Sequence, residues 1–120
     1  MFIEPTPEQI AELAGSSEPG PVVMVNLLRF RPDGGAAAYA HYGEGVFPCL
    51  VRAGAQILWQ GKPDGVVIGE PGDRWDAVVL VEYPSRRAFL EMVSSPEYQA
   101  IANRRTEALT DSRLIACNPA

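Results

Sequence analysis

One histidine, two cysteines and no long run of lysine or arginine leave this 120-residue chain without the means for several functions. A zinc centre needs a cluster of Cys and His ligands, and no such cluster is present, so no metal site is expected. Cys49 and Cys117 lack a CxxC spacing and sit among apolar residues, which predicts buried free thiols rather than a disulfide. No basic run exceeds Arg86-Arg87 or Arg104-Arg105 and the formal net charge is -5, so a phosphate backbone is repelled and nucleic acid is not an expected partner. The longest apolar run, Pro21 to Leu28, is broken by Asn26 and falls far short of the roughly 20 residues of a membrane span. Met1 to Ala14 lacks the basic, apolar build of a signal peptide, and the expectation is a soluble, cytoplasmic protein. No nucleophile elbow, phosphate-binding glycine loop or dinucleotide fingerprint is present, so the motifs imply no cofactor.

What is present is an order of elements. A chain of this length forms one domain able to bury roughly two thirds of its unfolded surface. Thr6-Pro7-Glu8-Gln9 is a capping box with proline at the first helical position, and Gly15 ends the short amphipathic helix that it starts. Gly15 to Pro21 then reads as a linker, so residues 1–20 form an appendage to a domain at 21–120. Val22 to Phe30 reads as a strand, with Val23, Val25, Leu27 and Arg29 on one face and Met24, Asn26, Leu28 and Phe30 on the other. Asp33 is expected to cap a helix that ends at Gly54, with Ala37, Ala40, Phe47, Leu50 and Val51 turned inward. Gly43, Gly45 and Pro48 predict a bend within it. Two short strands follow, Ala55 to Gly61 and Gly65 to Gly69, then a strand from Asp76 to Tyr83. Ser85 caps a helix, Ser95-Pro96 restarts it, and Ser112 to Cys117 forms the last strand.

Right-handed crossovers turn this strand-helix-strand-strand-helix-strand order into an α+β ferredoxin-like plait, an antiparallel sheet in order 4-1-3-2 with its helices on one face. Strands that are apolar on both faces then need a second cover, most simply another copy of the chain, so a homodimer through the sheet face is predicted. Strand ends in this order are expected to bring Arg29, Glu82, Tyr83, Asp111, Ser112 and Arg113 together. Arginine on a central strand either binds an anion or joins an ion-pair network, and both readings of Arg29 and Arg113 are open, with Asp111 or Glu82 orienting the guanidinium. Asn26 must find a hydrogen bond, from a ligand or from a backbone carbonyl. Tyr42 and Trp59 are candidate aromatic walls of a small-molecule pocket. His41 is the default general base if chemistry exists, against the plainer reading of a solvated side chain.

VNLLRF, AAYAHYGEGVFPCLVRAGAQILWQG, EYPSRRAFLEMVSSPEYQ and DSRLI resemble the domain of unknown function 1330 family, over about Val22 to Cys117. The resemblance implies the dimeric α/β-barrel group, in which two ferredoxin-like protomers pack sheet against sheet, and carries no activity with it. Haem degraders of that group use an asparagine, a tryptophan and a histidine. Asn26, Trp59 and His41 are similar in type, but His41 lies on the first long helix instead of the second. The expected function is binding of a small acidic or aromatic metabolite beside the sheet. The alternatives are a cofactor-free monooxygenase or isomerase, with His41 and Asn26 catalytic, and a structural dimer without activity.

Overall fold

The computed structural model describes residues 1–120. Its elements are α1 (Pro7–Ala14), β1 (Val22–Phe30), α2 (Gly35–Ala53), β2 (Gln56–Gly61), β3 (Ala77–Tyr83), α3 (Arg86–Ser94), α4 (Pro96–Gln99), α5 (Ala102–Ala108) and β4 (Leu109–Cys117). The four strands form one antiparallel sheet in the order β2-β3-β1-β4, the ferredoxin-like arrangement, as an open sheet and not a closed barrel.

Local chemistry sets most of the element ends. Thr6 Oγ1 accepts from the Gln9 N–H while the Gln9 side chain accepts from the Thr6 N–H, the reciprocal pair that starts α1. Ser85 and Ser95 cap α3 and α4 with a single bond each, accepting from the Ala88 and Tyr98 N–H groups. Gly54 ends α2 in the left-handed region, at φ 74°. The start of α2 differs from expectation. Gly34, at φ 75°, occupies the cap and supplies no side-chain bond, so the left-handed turn sets the entry instead of an Asp33 carboxylate.

The core lies on one face of the sheet. Val22, Met24, Leu28, Val79, Val81 and Tyr83 meet Tyr42, Val46, Cys49 and Leu50 of α2, Phe89 and Met92 of α3, and Ile101 and Ala108 near α5. The inward stripe of α2 therefore runs through Gly35, Tyr42, Val46, Cys49 and Leu50. Ala37, Ala40, Phe47 and Val51, expected inward, are exposed, because the helix is rotated to seat Tyr42 and Val46. The helix runs unbroken from Gly35 to Ala53 through Pro48, and Gly45 serves close packing: a Cβ there would stand 3.2 Å from Ile101 Cδ1. Residues 65–69 form a loop and not the expected strand, with Val67 and Ile68 each 96% exposed. β4 begins at Leu109, three residues before the expected Ser112. Cys49 is buried and Cys117 half-buried, and both are free.

The other face of the sheet carries Val23, Val25 and Leu27 from β1 and Val78 and Leu80 from β3, all half-buried. Register places Trp59, Leu80, Val25 and Ile115 in one row across all four strands on this face. No helix covers the row, and Trp59 and Ile115 at its ends are 56% and 49% exposed. No helix of the chain is long and apolar enough to cross a membrane.

Gly35 and Gly43 allow a direct check of how tightly α2 is seated. A Cβ on Gly35 would stand 2.7 Å from the Ala108 carbonyl oxygen, whereas one on Gly43 meets nothing within 4 Å. Gly35→Ala is expected to destabilise by about 1–3 kcal/mol through overpacking, and Gly43→Ala to stabilise by about 0.5–1 kcal/mol through helix propensity. Urea denaturation of the two variants reads both signs.

Candidate functional site

The end of β1 and the start of β4 bring Arg29, Asp111, Ser112 and Arg113 together, as the sequence predicts. Glu82 and Tyr83 are not with them. β1 and β3 are antiparallel, so Val22 pairs with Tyr83 and Val23 with Glu82 at the opposite end of the sheet. Asp111 is the hub of the cluster. It accepts from the Phe2 N–H at 2.9 Å, from Arg113 Nη1 at 2.8 Å and from the Ser112 N–H at 3.0 Å, and Arg29 Nη1 stands 3.8 Å away. The Phe2 N–H, then Arg113, hold its carboxyl below the ordinary carboxylate range, against the opposing effect of burial. Ser112 Oγ donates to the Phe2 carbonyl at 2.7 Å, so the N-terminal segment is pinned to β4 twice.

The two arginines of this cluster are already engaged. Arg29 donates from Nε and Nη2 to the Arg74 carbonyl at 3.0 and 2.6 Å, and its guanidinium lies 4.9 Å from the Trp75 ring centroid. Arg113 lies over both Phe2 and Trp75, at 4.8 and 5.3 Å. These contacts make the cluster a clasp that holds the N-terminal segment and the loop before β3.

The other sequence candidates are dispersed. Asn26 sits on the helix-covered face and donates from Nδ2 to the Val79 carbonyl at 3.2 Å. Tyr42 is buried and its hydroxyl lies 2.9 Å from that of Tyr98. Burial pushes Tyr39, Tyr42 and Tyr83 above the usual phenol range, with the Arg105 guanidinium opposing the shift. Trp59 belongs to the open face, on the edge strand β2. His41 points to solvent on α2, its side chain 60% exposed and 3.9 Å from Glu44.

A cavity lies elsewhere, between α1, α3 and the β4 edge. It measures about 670 Å³, within the range of small-molecule sites. Met24, Phe89, Ile10 and Leu13 supply apolar wall, and Arg86 and Arg105 reach it from α3 and from the last turn of α5. Arg105 Nη1 donates to the Ile3 carbonyl at 3.0 Å, and Arg86 Nη2 donates to Asn118 Oδ1. Arg86 Nη1 and Arg105 Nη2 are fully buried and have no hydrogen-bond partner. Neither residue joins any of the four ion pairs of the chain. Both nitrogens are shielded from the cavity by their surroundings, and the Arg105 guanidinium lies against the Tyr39 hydroxyl. A smaller cleft of about 270 Å³ is lined by Cys49, Arg52 and Met92, where Arg52 Nη2 donates to Cys49 Sγ at 3.6 Å.

Of the residues expected to cluster at the strand ends, Ser112 and Arg113 line this cavity. Arg86 and Arg105 were passed over as parts of short basic pairs. Their helical phase was the available signal, since Arg105 stands four residues after buried Ile101 and three before buried Ala108, and Arg86 three before buried Phe89.

Comparison with known proteins accords with this architecture. The profile described as Domain of unknown function (DUF1330) matches residues 34–117, and the chain belongs to that family. A protein of unknown function from Rhodopseudomonas palustris is similar in structure at 39% identity and a TM-score of 0.95, with 99% of this chain and 97% of that chain covered. A hydroxynitrile lyase from Passiflora edulis is similar in fold at 14% identity and a TM-score of 0.66, covering 83% of this chain and 94% of that one. A dimeric protein of unknown function with a ferredoxin-like fold, from Bacteroides fragilis, matches at 14% identity and a TM-score of 0.58, covering 81% of this chain and 94% of that one. No curated protein matches the chain.

Two titrations follow from these groups. The lowered Asp111 carboxyl stabilises the fold above its unfolded value of about 4, and that contribution is lost as pH falls through the lower folded value. Urea midpoints measured from pH 7 to pH 2 should therefore fall more gently in Asp111→Asn than in the parent, and equal slopes would contradict the clasp. The raised tyrosines act in the opposite direction. Their neutral form keeps its full stabilising effect below about pH 10 and loses it as pH rises through the folded values. Tyrosinate absorbance from Tyr39, Tyr42 and Tyr83 should appear together with loss of the far-ultraviolet circular dichroism signal, not before it.

Proposed function

We propose that this member of the family works as a homodimer paired through the open sheet faces, and that it binds a small organic molecule in the cavity between α1, α3 and β4. The observation that carries the binding reading is the cavity of about 670 Å³ itself, walled by Met24, Phe89, Ile10 and Leu13 with Arg86, Arg105 and Arg113 among its lining residues. Small-molecule sites are built in this way, as apolar walls with a few convergent polar groups.

The dimer reading is supported by the uncovered row of Trp59, Leu80, Val25 and Ile115. Burying such a row against its own copy removes apolar surface from water at about 25 cal/mol per Å². The dimeric state of the Bacteroides fragilis relative is consistent with it at the level of fold. A catalytic role for His41 has less support, since His41 faces solvent and lines neither the cavity under α1 nor the cleft at Cys49.

Light scattering of the full chain at micromolar concentration should give twice the 13.0 kDa protomer mass, and Val25→Glu, with a charge in the middle of the row, should give the protomer mass with helical content intact. A protomer mass for the parent removes the dimer. Thermal-shift screening against organic acids and aromatics tests the binding reading separately, because a ligand at 100 times its Kd stabilises by about 2.7 kcal/mol. Stabilisation by none of them counts against the cavity as a site.

A further inference from the structure

The cavity between α1, α3 and β4 is lined by Ser112, Arg113, Leu114, Ile115 and Ala116, consecutive residues of one strand. Successive side chains of a strand point to opposite faces, so a space that meets all of them lies along the strand's edge. β4 is an outer strand of the sheet and pairs only with β1. Its free edge is therefore the one that borders the cavity.

Every second residue of an outer strand turns its N–H and C=O away from the sheet. In β4 that set is Ser112, Leu114 and Ala116. Leu28, which stands opposite Ser112, gives its carbonyl to the Asp76 N–H at 2.7 Å on the β3 side, so the ladder with β1 does not use Ser112. The outward groups of Ser112 are taken locally, the N–H by Asp111 Oδ1 at 3.0 Å and the carbonyl by Arg113 Nη1 at 2.7 Å. The register runs without a shift from Ser112 to Cys117, which turns Leu114 and Ala116 the same way. No backbone hydrogen bond outside the ladder reaches either of them, and both residues are exposed. Ile10 and Leu13 of α1, with Met24 and Phe89, wall the space beside them. A helix can protect a free edge by packing on it, but α1 stands off from β4 and leaves room for another length of chain.

We propose that the cavity takes a short peptide in extended conformation, added to the sheet as a strand along β4 and hydrogen-bonded to the backbone of Leu114 and Ala116. The inference rests on the reading of this cavity as a small-molecule site and adds the class of ligand. In this mode main-chain pairing supplies affinity and alternate side chains supply selectivity. Ser112 and Ala116 stand roughly 13 Å apart at about 3.3 Å per residue, which suits a tripeptide with capped ends. Peptide residues opposite Leu114 and Ala116 point toward the helical layer, where Met24, Phe89, Ile10 and Leu13 favour apolar side chains. The residue between them points toward the open sheet face, and its identity matters little.

Isothermal titration calorimetry of the full chain with acetyl-Leu-Ala-Leu-methylamide tests it, beside the same peptide N-methylated at both leucines or at the alanine. One edge of the peptide pairs with β4 and the other faces away. One N-methylated form should thus lose at least about tenfold in affinity and the other should bind like the unmethylated peptide. Ala116→Pro removes an outward N–H that the ladder does not use, and should abolish peptide binding with circular dichroism unchanged. Should Ala116→Pro fail to fold, hydrogen exchange gives a second reading: the Leu114 and Ala116 amides should exchange quickly in the free chain and at least about tenfold more slowly with peptide bound. Equal affinity of the two N-methylated forms, or affinity unchanged in Ala116→Pro, which would place the peptide on the free edge of β2, overturns the inference. Absence of peptide binding overturns it as well. The small-molecule reading then stands if organic acids or aromatics still stabilise the chain, and falls with it if they do not.

Discussion

β1 is the central constraint of this protein. It is paired on both edges, with β3 and β4, and it carries apolar side chains on both faces. Helices cover only the face of Val22, Met24 and Leu28, where the core forms. A central strand cannot turn its second set of side chains away, because the period of two fixes them on the opposite face. The uncovered row is thus a consequence of how the first face is packed.

The edge of the sheet is organised by the N-terminal segment. Asp111 and Ser112 hold Phe2, Arg105 holds Ile3, and α1 extends the helical layer past β4. Because Asp111 and Trp75 occupy Arg29 and Arg113, the ion chemistry at that end of the sheet is self-contained. Arg86 and Arg105, drawn toward the interior by their helical phase, have no counter-ion. Both pairs tie the chain to itself, Arg29 and Arg113 through Asp111 and Trp75, and Arg86 and Arg105 through Asn118 and Ile3.

How much of this was legible in the sequence depended on whether the signal was local. The capping box at Thr6, the caps at Ser85 and Ser95 and the left-handed stop at Gly54 each involve neighbours a few residues apart, and all were readable. Crossover handedness leaves few sheet orders, and the commonest of them is the one that forms. The inward face of α2 was misread because alanines at 37 and 40 weigh little, while Tyr42 and Val46 set the rotation through contacts with distant elements. Val66, Val67 and Ile68 have the composition of a strand but no strand to pair with, so they stay in a loop. Glu82 and Tyr83 were placed at the wrong end because an antiparallel sheet puts the ends of β1 and β3 at opposite edges. Arg86 and Arg105 share the helical phase of buried Phe89, Ile101 and Ala108, a signal that their place in two short basic pairs obscures.

The proposed coverage of the second sheet face in solution is addressed most directly by methyl nuclear magnetic resonance with a soluble paramagnetic agent. The methyl groups of Val25, Leu27 and Leu80 should resist broadening as fully as those of core residues Leu28 and Val79, while Val67 and Ile68, 96% exposed, broaden strongly. Broadening of Val25, Leu27 and Leu80 well beyond that of Leu28 and Val79 would show the face open to water and contradict the account.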